Sequence, residues 1–193
     1  MTAVGPVRIA LIGFMGCGKS TIGPLIARNA GARFVDTDSL LVADAGGRSI
    51  PDLFADEGET AFRDRESRIL AAVCASKEPL VIATGGGTVL REENVACLRS
   101  ACFVVWLAAR PDVILARTAR DKGRPLLAGA QTRAEKHARS LSLLGERGPR
   151  YQSTAHLIVD TSDRAPVAIA REIERKHSVR DALSLSPLKA VTQ

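Results

Sequence analysis

Aromatic side chains are scarce in this sequence: one Trp, one Tyr and five Phe among 193 residues. A surface that stacks single-stranded nucleic acid needs aromatic platforms beside its basic groups. The net charge of +6 therefore gives no reason to expect a nucleic-acid partner. The excess charge is also local. Residues 110–150 hold ten Lys and Arg against four Asp and Glu, with no Phe, Trp or Tyr among them. An arm that closes over a polyphosphate accounts for such a stretch better. Long apolar runs are missing too. None reaches the ~18 residues that a membrane span needs, so no membrane partner is expected. The start of the chain has no basic patch leading into a long apolar stretch and a small-residue cleavage site, so no secretory leader is expected. Cysteine is sparse, at positions 17, 74, 97 and 102. No two form a C-x-x-C pair and no His stands at zinc-finger spacing, so four reduced thiols in a cytoplasmic protein are expected. What is plentiful is apolar residues, 46% of the chain. That suffices for the core of one domain.

Two kinds of segment alternate along the chain. Short apolar runs at residues 7–12, 34–36, 80–83, 103–107 and 156–159 read as buried strands. Between them, helical spacing is expected over residues 19–29, 38–45, 52–76 (with a break at Gly58), 92–99, 111–120, 133–144 and 165–176. Residues 121–132 contain Gly123, Pro125 and Gly129 and read as a loop. Strand and helix in alternation imply a parallel sheet covered on both faces, a three-layer αβα sandwich around five parallel strands. A single domain over residues 1–176 is expected, with residues 177–193 a poorly ordered tail because no strong period continues there. Ligands of such sheets sit beyond the carboxyl ends of the strands. The chemically suggestive residues fall there: 13–20, 36–38, 85–87 and 160–166.

Gly13-Phe14-Met15-Gly16-Cys17-Gly18-Lys19-Ser20 fits G-x-x-x-x-G-K-[ST], the P-loop pattern, between a strand and a helix. Its glycines let several backbone N–H groups converge on an anion, and the helix that starts there adds its positive end. Lys19 can reach the β- and γ-phosphates of ATP, and Ser20 can place its hydroxyl on Mg²⁺. Asp36 and Asp38, two apart in an extended segment, point to one side. One can hold Mg²⁺ through water and the other accept a substrate hydroxyl proton. The alternative is an Asp that caps the next helix. Arg63 and Glu66 are either a surface i, i+3 pair or a guanidinium oriented to fork onto a substrate carboxylate. Gly85, Gly86 and Gly87 form a tight turn, or a backbone that something approaches closely. Arg117, Arg124 and Arg147 form a solvated basic face. Alternatively, with Arg124 in the loop 121–132, they belong to a lid that excludes water and neutralises the transferring phosphoryl group.

With these motifs in order, the chain resembles the shikimate kinases, small P-loop kinases of the nucleoside-monophosphate-kinase fold. The resemblance covers residues 7–176. It rests on the P-loop, Asp36-Thr37-Asp38, Phe62-Arg63 with Glu66, Gly85-Gly86-Gly87, and Arg124-Pro125-Leu126-Leu127. It implies transfer of the γ-phosphoryl group of ATP, with Mg²⁺, to the 3-hydroxyl of shikimate. The implied catalytic residues are Lys19, Asp38 and Arg124. The implied nucleotide site comprises Gly16, Cys17, Gly18, Lys19, Ser20, Thr21, Arg117, Arg124, Arg164 and Pro166. Ser20 and Asp36 are the implied metal residues. Asp38, Arg63, Gly85, Gly86, Gly87 and Arg147 are the implied shikimate residues, with Phe54 and Phe62 as apolar walls in a helical region over residues 38–76. Two features depart: Arg150 stands in Arg147-Gly148-Pro149-Arg150-Tyr151 where the family has leucine, and the stretch 133–147 is a few residues longer than is common. A monomer is expected. Two other readings remain: a P-loop kinase for another small hydroxy acid or polyol, and a nucleotide-binding protein without catalysis.

Overall fold

The computed structural model of the chain describes residues 6–118 and 133–184. Five strands run parallel among these residues: β1 (Arg8–Ile12), β2 (Arg33–Asp36), β3 (Leu80–Ala83), β4 (Phe103–Ala108) and β5 (Leu157–Asp160). Their order across the sheet is β2-β3-β1-β4-β5. The chain passes from β1 to the edge strand β2, returns to β3 beside β1, then crosses over to β4 and the other edge, β5. The switch in direction lies at the carboxyl end of β1, where ligands of open α/β sheets bind.

The helices are α1 (Lys19–Asn29), α2 (Thr37–Asp44), α3 (Ile50–Ala75), α4 (Glu92–Ala101), α5 (Pro111–Thr118), α6 (Arg133–Thr154) and α7 (Pro166–Ser184). Side chains alternate across the strands and feed two separate cores. Ala10, Ile12, Leu80, Ile82 and Val104 face Phe62, Ile69 and Leu70 of α3, Leu98 of α4 and Tyr151 of α6. Ile9, Leu11, Val81, Val105 and Leu107 face Ile22 and Ile26 of α1 and Ile169 and Ile173 of α7. This is the expected αβα sandwich. Among the described residues, no helix is long and apolar enough to cross a membrane. All four cysteines are free, and Cys74, Cys97 and Cys102 share one core. Burial pushes the Cys97 thiol up to about 12.

Helix α3 is capped by Ser49, whose hydroxyl accepts the N–H of Asp52, and it bends at Gly58 (φ 77°, ψ 169°). The bend, expected from the sequence, brings the rings of Phe54 and Phe62 to 4.2 Å. Three boundaries differ from expectation. Helix α2 begins at Thr37, so Asp38 lies in a first helical turn and not in an extended segment. Helix α6 continues to Thr154, through Gly145, Gly148 and Pro149. Its buried face is Ser140, Leu143, Arg147, Tyr151 and Thr154, a helical spacing built largely from polar residues that an apolar pattern misses. Helix α7 runs to Ser184 in place of a tail from residue 177. His177 is buried and meets the ring of Phe103 edge-on, while Arg180 lies over the same ring. Those contacts are aromatic and cationic, so no aliphatic period announced them. The expected loop at 121–132, and residues 185–193 of the expected tail, lie outside the described residues.

His156 extends the β4–β5 pairing with its side chain. Its N–H donates to the Val104 carbonyl at 2.8 Å, and its Nδ1 accepts the Val104 N–H at 2.9 Å. Protonation would remove that acceptor. Burial, then the charges of Arg180 and Arg99, holds the His156 pKa below its ordinary 6.5. As pH falls from ~6.5 toward the lowered value, the unfolded chain binds the proton and the folded chain does not. The stabilisation is complete above ~6.5 and is lost below it. Melting temperature should therefore fall between about pH 7.5 and 5. His156→Asn, whose side-chain oxygen can accept the same N–H, should fall less; parallel curves for the two proteins would count against this role.

Candidate active site

The loop from Gly13 to Ser20 leaves the carboxyl end of β1 and enters α1. Gly16 and Gly18 have φ of 74° and 102°, a region that side chains with a Cβ avoid, so the loop depends on glycine there. From below, Phe14 and Met15 pack on Ile114 of α5 and Leu143 of α6. The Lys19 ammonium donates to the carbonyls of Gly13 at 2.7 Å and Phe14 at 2.9 Å. Cys17 is buried, with its sulfur 3.7 Å from the same amine.

The Ser20 hydroxyl donates to Asp36 Oδ2 at 2.7 Å. Asp36 Oδ1 accepts the Asp38 N–H at 3.0 Å and caps α2. Asp36 therefore has the expected capping role with one carboxylate oxygen, while the other meets the P-loop serine. Among the described residues no group of three His, Cys, Asp or Glu could hold a metal by itself. A hydroxyl beside one carboxylate suits Mg²⁺, which is bound through one or two protein oxygens plus phosphate oxygens and water. The donor set fits the expected ion.

Across the cleft, Gly85 and its neighbours follow β3. Thr37 is buried, and its hydroxyl accepts the Gly85 N–H at 3.1 Å. A Cβ on Gly85 would stand 2.6 Å from Glu66 Oε1 and 2.9 Å from Asp38 Oδ1. A Cβ on Gly87 would collide with the Arg63 guanidinium. Close approach therefore explains two of the three glycines. Arg63 donates to Glu66 at 2.8 Å, with both side chains buried. Glu66 also accepts the Thr88 hydroxyl at 2.8 Å. The guanidinium rests 5.7 and 5.3 Å from the ring centres of Phe54 and Phe62, while its Nε is buried without a partner. The surface-pair reading of Arg63 and Glu66 is excluded by this burial.

Arg147 is 4% exposed and donates to the Gly86 carbonyl at 3.2 Å. Among the described residues no carboxylate pairs with it. Arg150 points elsewhere and pairs with Glu92 of α4 at the surface. The departure at that position therefore leaves Arg147 in place.

At the other side of the P-loop, Arg117 donates to the carbonyls of Gly16 at 3.3 Å and Thr161 at 2.7 Å. Thr161 is buried, with its hydroxyl 3.0 Å from the Cys17 carbonyl. Arg164 pairs with Glu172 at 2.5 Å. Asp160 accepts the Ser162 N–H at 2.8 Å. That bond is the main cause holding its carboxyl below the usual range.

One cavity of about 940 Å³ joins these parts. Its wall includes all the site residues expected from sequence that lie within the described residues: Gly16, Cys17, Gly18, Lys19, Ser20, Thr21, Asp36, Asp38, Arg63, Gly85, Gly86, Gly87, Arg117, Arg147, Arg164 and Pro166. Arg124 lies outside the described residues. Thr37, Thr88, Tyr151 and Thr161 had no role in the sequence reading. Their hydroxyls reach distant segments by hydrogen bonds, and Thr37, Tyr151 and Thr161 lie inside segments that the sequence singles out, 36–38, 147–151 and 160–166. A volume near the upper end of small-molecule sites suits two substrates better than one.

The shikimate kinase family model matches residues 15–177. The chain belongs to the shikimate kinase family. It is 43% identical over 173 residues to the shikimate kinase of Symbiobacterium thermophilum, covering 88% of this chain and 95% of the relative. It is 42% identical over 169 residues to that of Moorella thermoacetica, covering 88% and 93%. The fold superposes on the shikimate kinase of Acinetobacter baumannii, solved in complex with shikimate. The TM-score is 0.85 at 33% identity, over 95% of this chain and 97% of that one. A gluconokinase of Sinorhizobium meliloti, at 19% identity and a TM-score of 0.59, shares the fold alone. In this shikimate kinase family member the P-loop, the paired aspartates and the two arginines beside the glycine turn line a single cavity.

Proposed function

We propose that the chain transfers the γ-phosphoryl group of ATP to the 3-hydroxyl of shikimate. The observation that carries the reading is Arg147: a buried guanidinium on the cavity wall, with no carboxylate partner among the described residues. A buried cation without a counter-charge is costly. A substrate carboxylate would supply the charge, and Arg63, beside the neighbouring Gly87, would supply a second donor. Shikimate has the matching chemistry, one ring carboxylate and three hydroxyls.

In this reading the P-loop N–H groups and Lys19 hold the phosphates, and Arg117, Arg164 and Pro166 border the adenosine. Ser20 and Asp36 would hold Mg²⁺, which supplies charge neutralisation at the phosphates when bound. Asp38 accepts the proton of the attacking hydroxyl. Lys19, now on two neutral carbonyls, has no anion to give up before it turns to phosphate. Phosphoryl transfer asks the protein mainly for positioning and charge stabilisation, and these residues provide both.

Release of ADP should be followed with shikimate, quinate, gluconate and nucleoside monophosphates in turn. Shikimate should be preferred by well over tenfold in kcat/KM; preference for gluconate or a nucleotide would move the reading to another kinase. The proposal includes a monomer acting in the cytoplasm with no nucleic acid or membrane. Specific activity should then not change with enzyme concentration. Asp36→Asn keeps a capping oxygen but removes the charge beside Ser20. The Mg²⁺ concentration for half-maximal rate should rise about tenfold or more, and an unchanged Mg²⁺ requirement would remove Asp36 from the metal site.

A further inference from the structure

The Gly86 carbonyl is held twice from α6. Arg147 Nη1 donates to it at 3.2 Å, and the Tyr151 hydroxyl donates to it at 2.5 Å. Arg147 and Tyr151 are four residues apart on one helix, so they stand on the same face. Tyr151 is fully buried, and its ring stacks on Trp106 of β4 with centroids 5.7 Å apart. It is absent from the cavity wall, whereas Gly85, Gly86, Gly87 and Arg147 all belong to it. Tyr151 therefore reaches the site only through this carbonyl.

We propose that Tyr151 is a positioning residue for shikimate binding, one that keeps the Gly86 carbonyl satisfied when Arg147 turns to the substrate carboxylate. The inference rests on the reading of Arg147 given above. A carbonyl accepts two hydrogen bonds, so with both donors present it can lose one and remain paired. Without the Tyr151 hydroxyl, Arg147 would be its remaining donor, and the substrate would have to compete with a buried carbonyl for the guanidinium. The bond also fixes the turn. In a trans peptide C=O and N–H point in opposite directions. Drawing the Gly86 carbonyl toward α6 therefore aims the Gly87 N–H away from it. Burial raises the phenol pKa, so the hydroxyl remains a donor throughout the working range.

Tyr151→Phe keeps the stack on Trp106 and removes only the hydroxyl. The KM for shikimate should rise about tenfold, the worth of one hydrogen bond near a charge. The KM for ATP should stay within about twofold, because the P-loop contacts are separate. A packing role alone would lower the melting temperature and leave the shikimate KM in place, and that result overturns the proposal. A second readout does not depend on the variant folding. Tyr151 is the sole tyrosine in the chain, so 3-fluorotyrosine labels it alone. Its ¹⁹F resonance should shift on saturation with shikimate and not with ADP alone; a resonance unmoved by shikimate also overturns the proposal. Shikimate turnover by the unmodified enzyme is the control. Its absence defeats the functional reading, whereas normal turnover with an unaltered KM in Tyr151→Phe defeats this inference alone.

Discussion

Lys19→Ala will fold and will be almost inactive. The Lys19 ammonium donates to the Gly13 and Phe14 carbonyls, two bonds at a part-exposed loop that water can replace. The shape of the loop comes from other features: the positive φ of Gly16 and Gly18, and the packing of Phe14 and Met15 on Ile114 and Leu143. None of these needs the amine. The transition state does, because charge spreads over the transferring phosphoryl oxygens and a preorganised cation stabilises it more than the ground state. Removing one such group costs about 10²- to 10³-fold in kcat. Circular dichroism and melting should show a native fold, and steady-state assay should show the loss. A folded Lys19→Ala enzyme with near-normal kcat would remove the P-loop from the mechanism.

A shikimate analogue without its carboxylate will be a very poor substrate, with kcat/KM lower by about 10³-fold or more. A site that presents buried donors rejects a ligand lacking the acceptor, because those donors are left unpaired. Here the donors are Arg147, 4% exposed, and Arg63, 6% exposed. Glu66 already balances Arg63, so the larger share of the loss is assigned to Arg147. Altering the ligand is a cleaner test than altering Arg63. Arg63→Met would strand Glu66, which is 2% exposed, and breaking a buried ion pair costs about 3–5 kcal/mol of stability. Comparable kcat/KM for the two compounds would mean that no carboxylate clamp exists.

The phosphate end of the cavity was legible in the sequence because its information is local. Gly16, Gly18, Lys19 and Ser20 act through spacing within one loop, between a strand and a helix that periodicity identifies. Asp36 was legible as a helix cap, and one of its carboxylate oxygens has that role while the other meets Ser20. Helix α6 was less legible. Its inner face mixes Ser140, Arg147 and Thr154 with Leu143 and Tyr151, so the apolar period stops short while the helix continues. Burial of the Arg63–Glu66 pair could not be read from i, i+3 spacing, which is the same at a surface. The bonds from Thr37 to Gly85 and from Tyr151 to Gly86 join segments 48 and 65 residues apart. They follow from the strand order β2-β3-β1-β4-β5, and no local pattern encodes that order.

The most direct measurement is steady-state turnover of the full chain with ATP, Mg²⁺ and shikimate, with the product examined by phosphorus NMR. Saturable ADP release should run at least about 10²-fold above ATP hydrolysis alone, with one phosphate on the 3-hydroxyl oxygen for each ADP formed. ADP release no faster with shikimate than without it, or phosphate on another oxygen, would contradict the account.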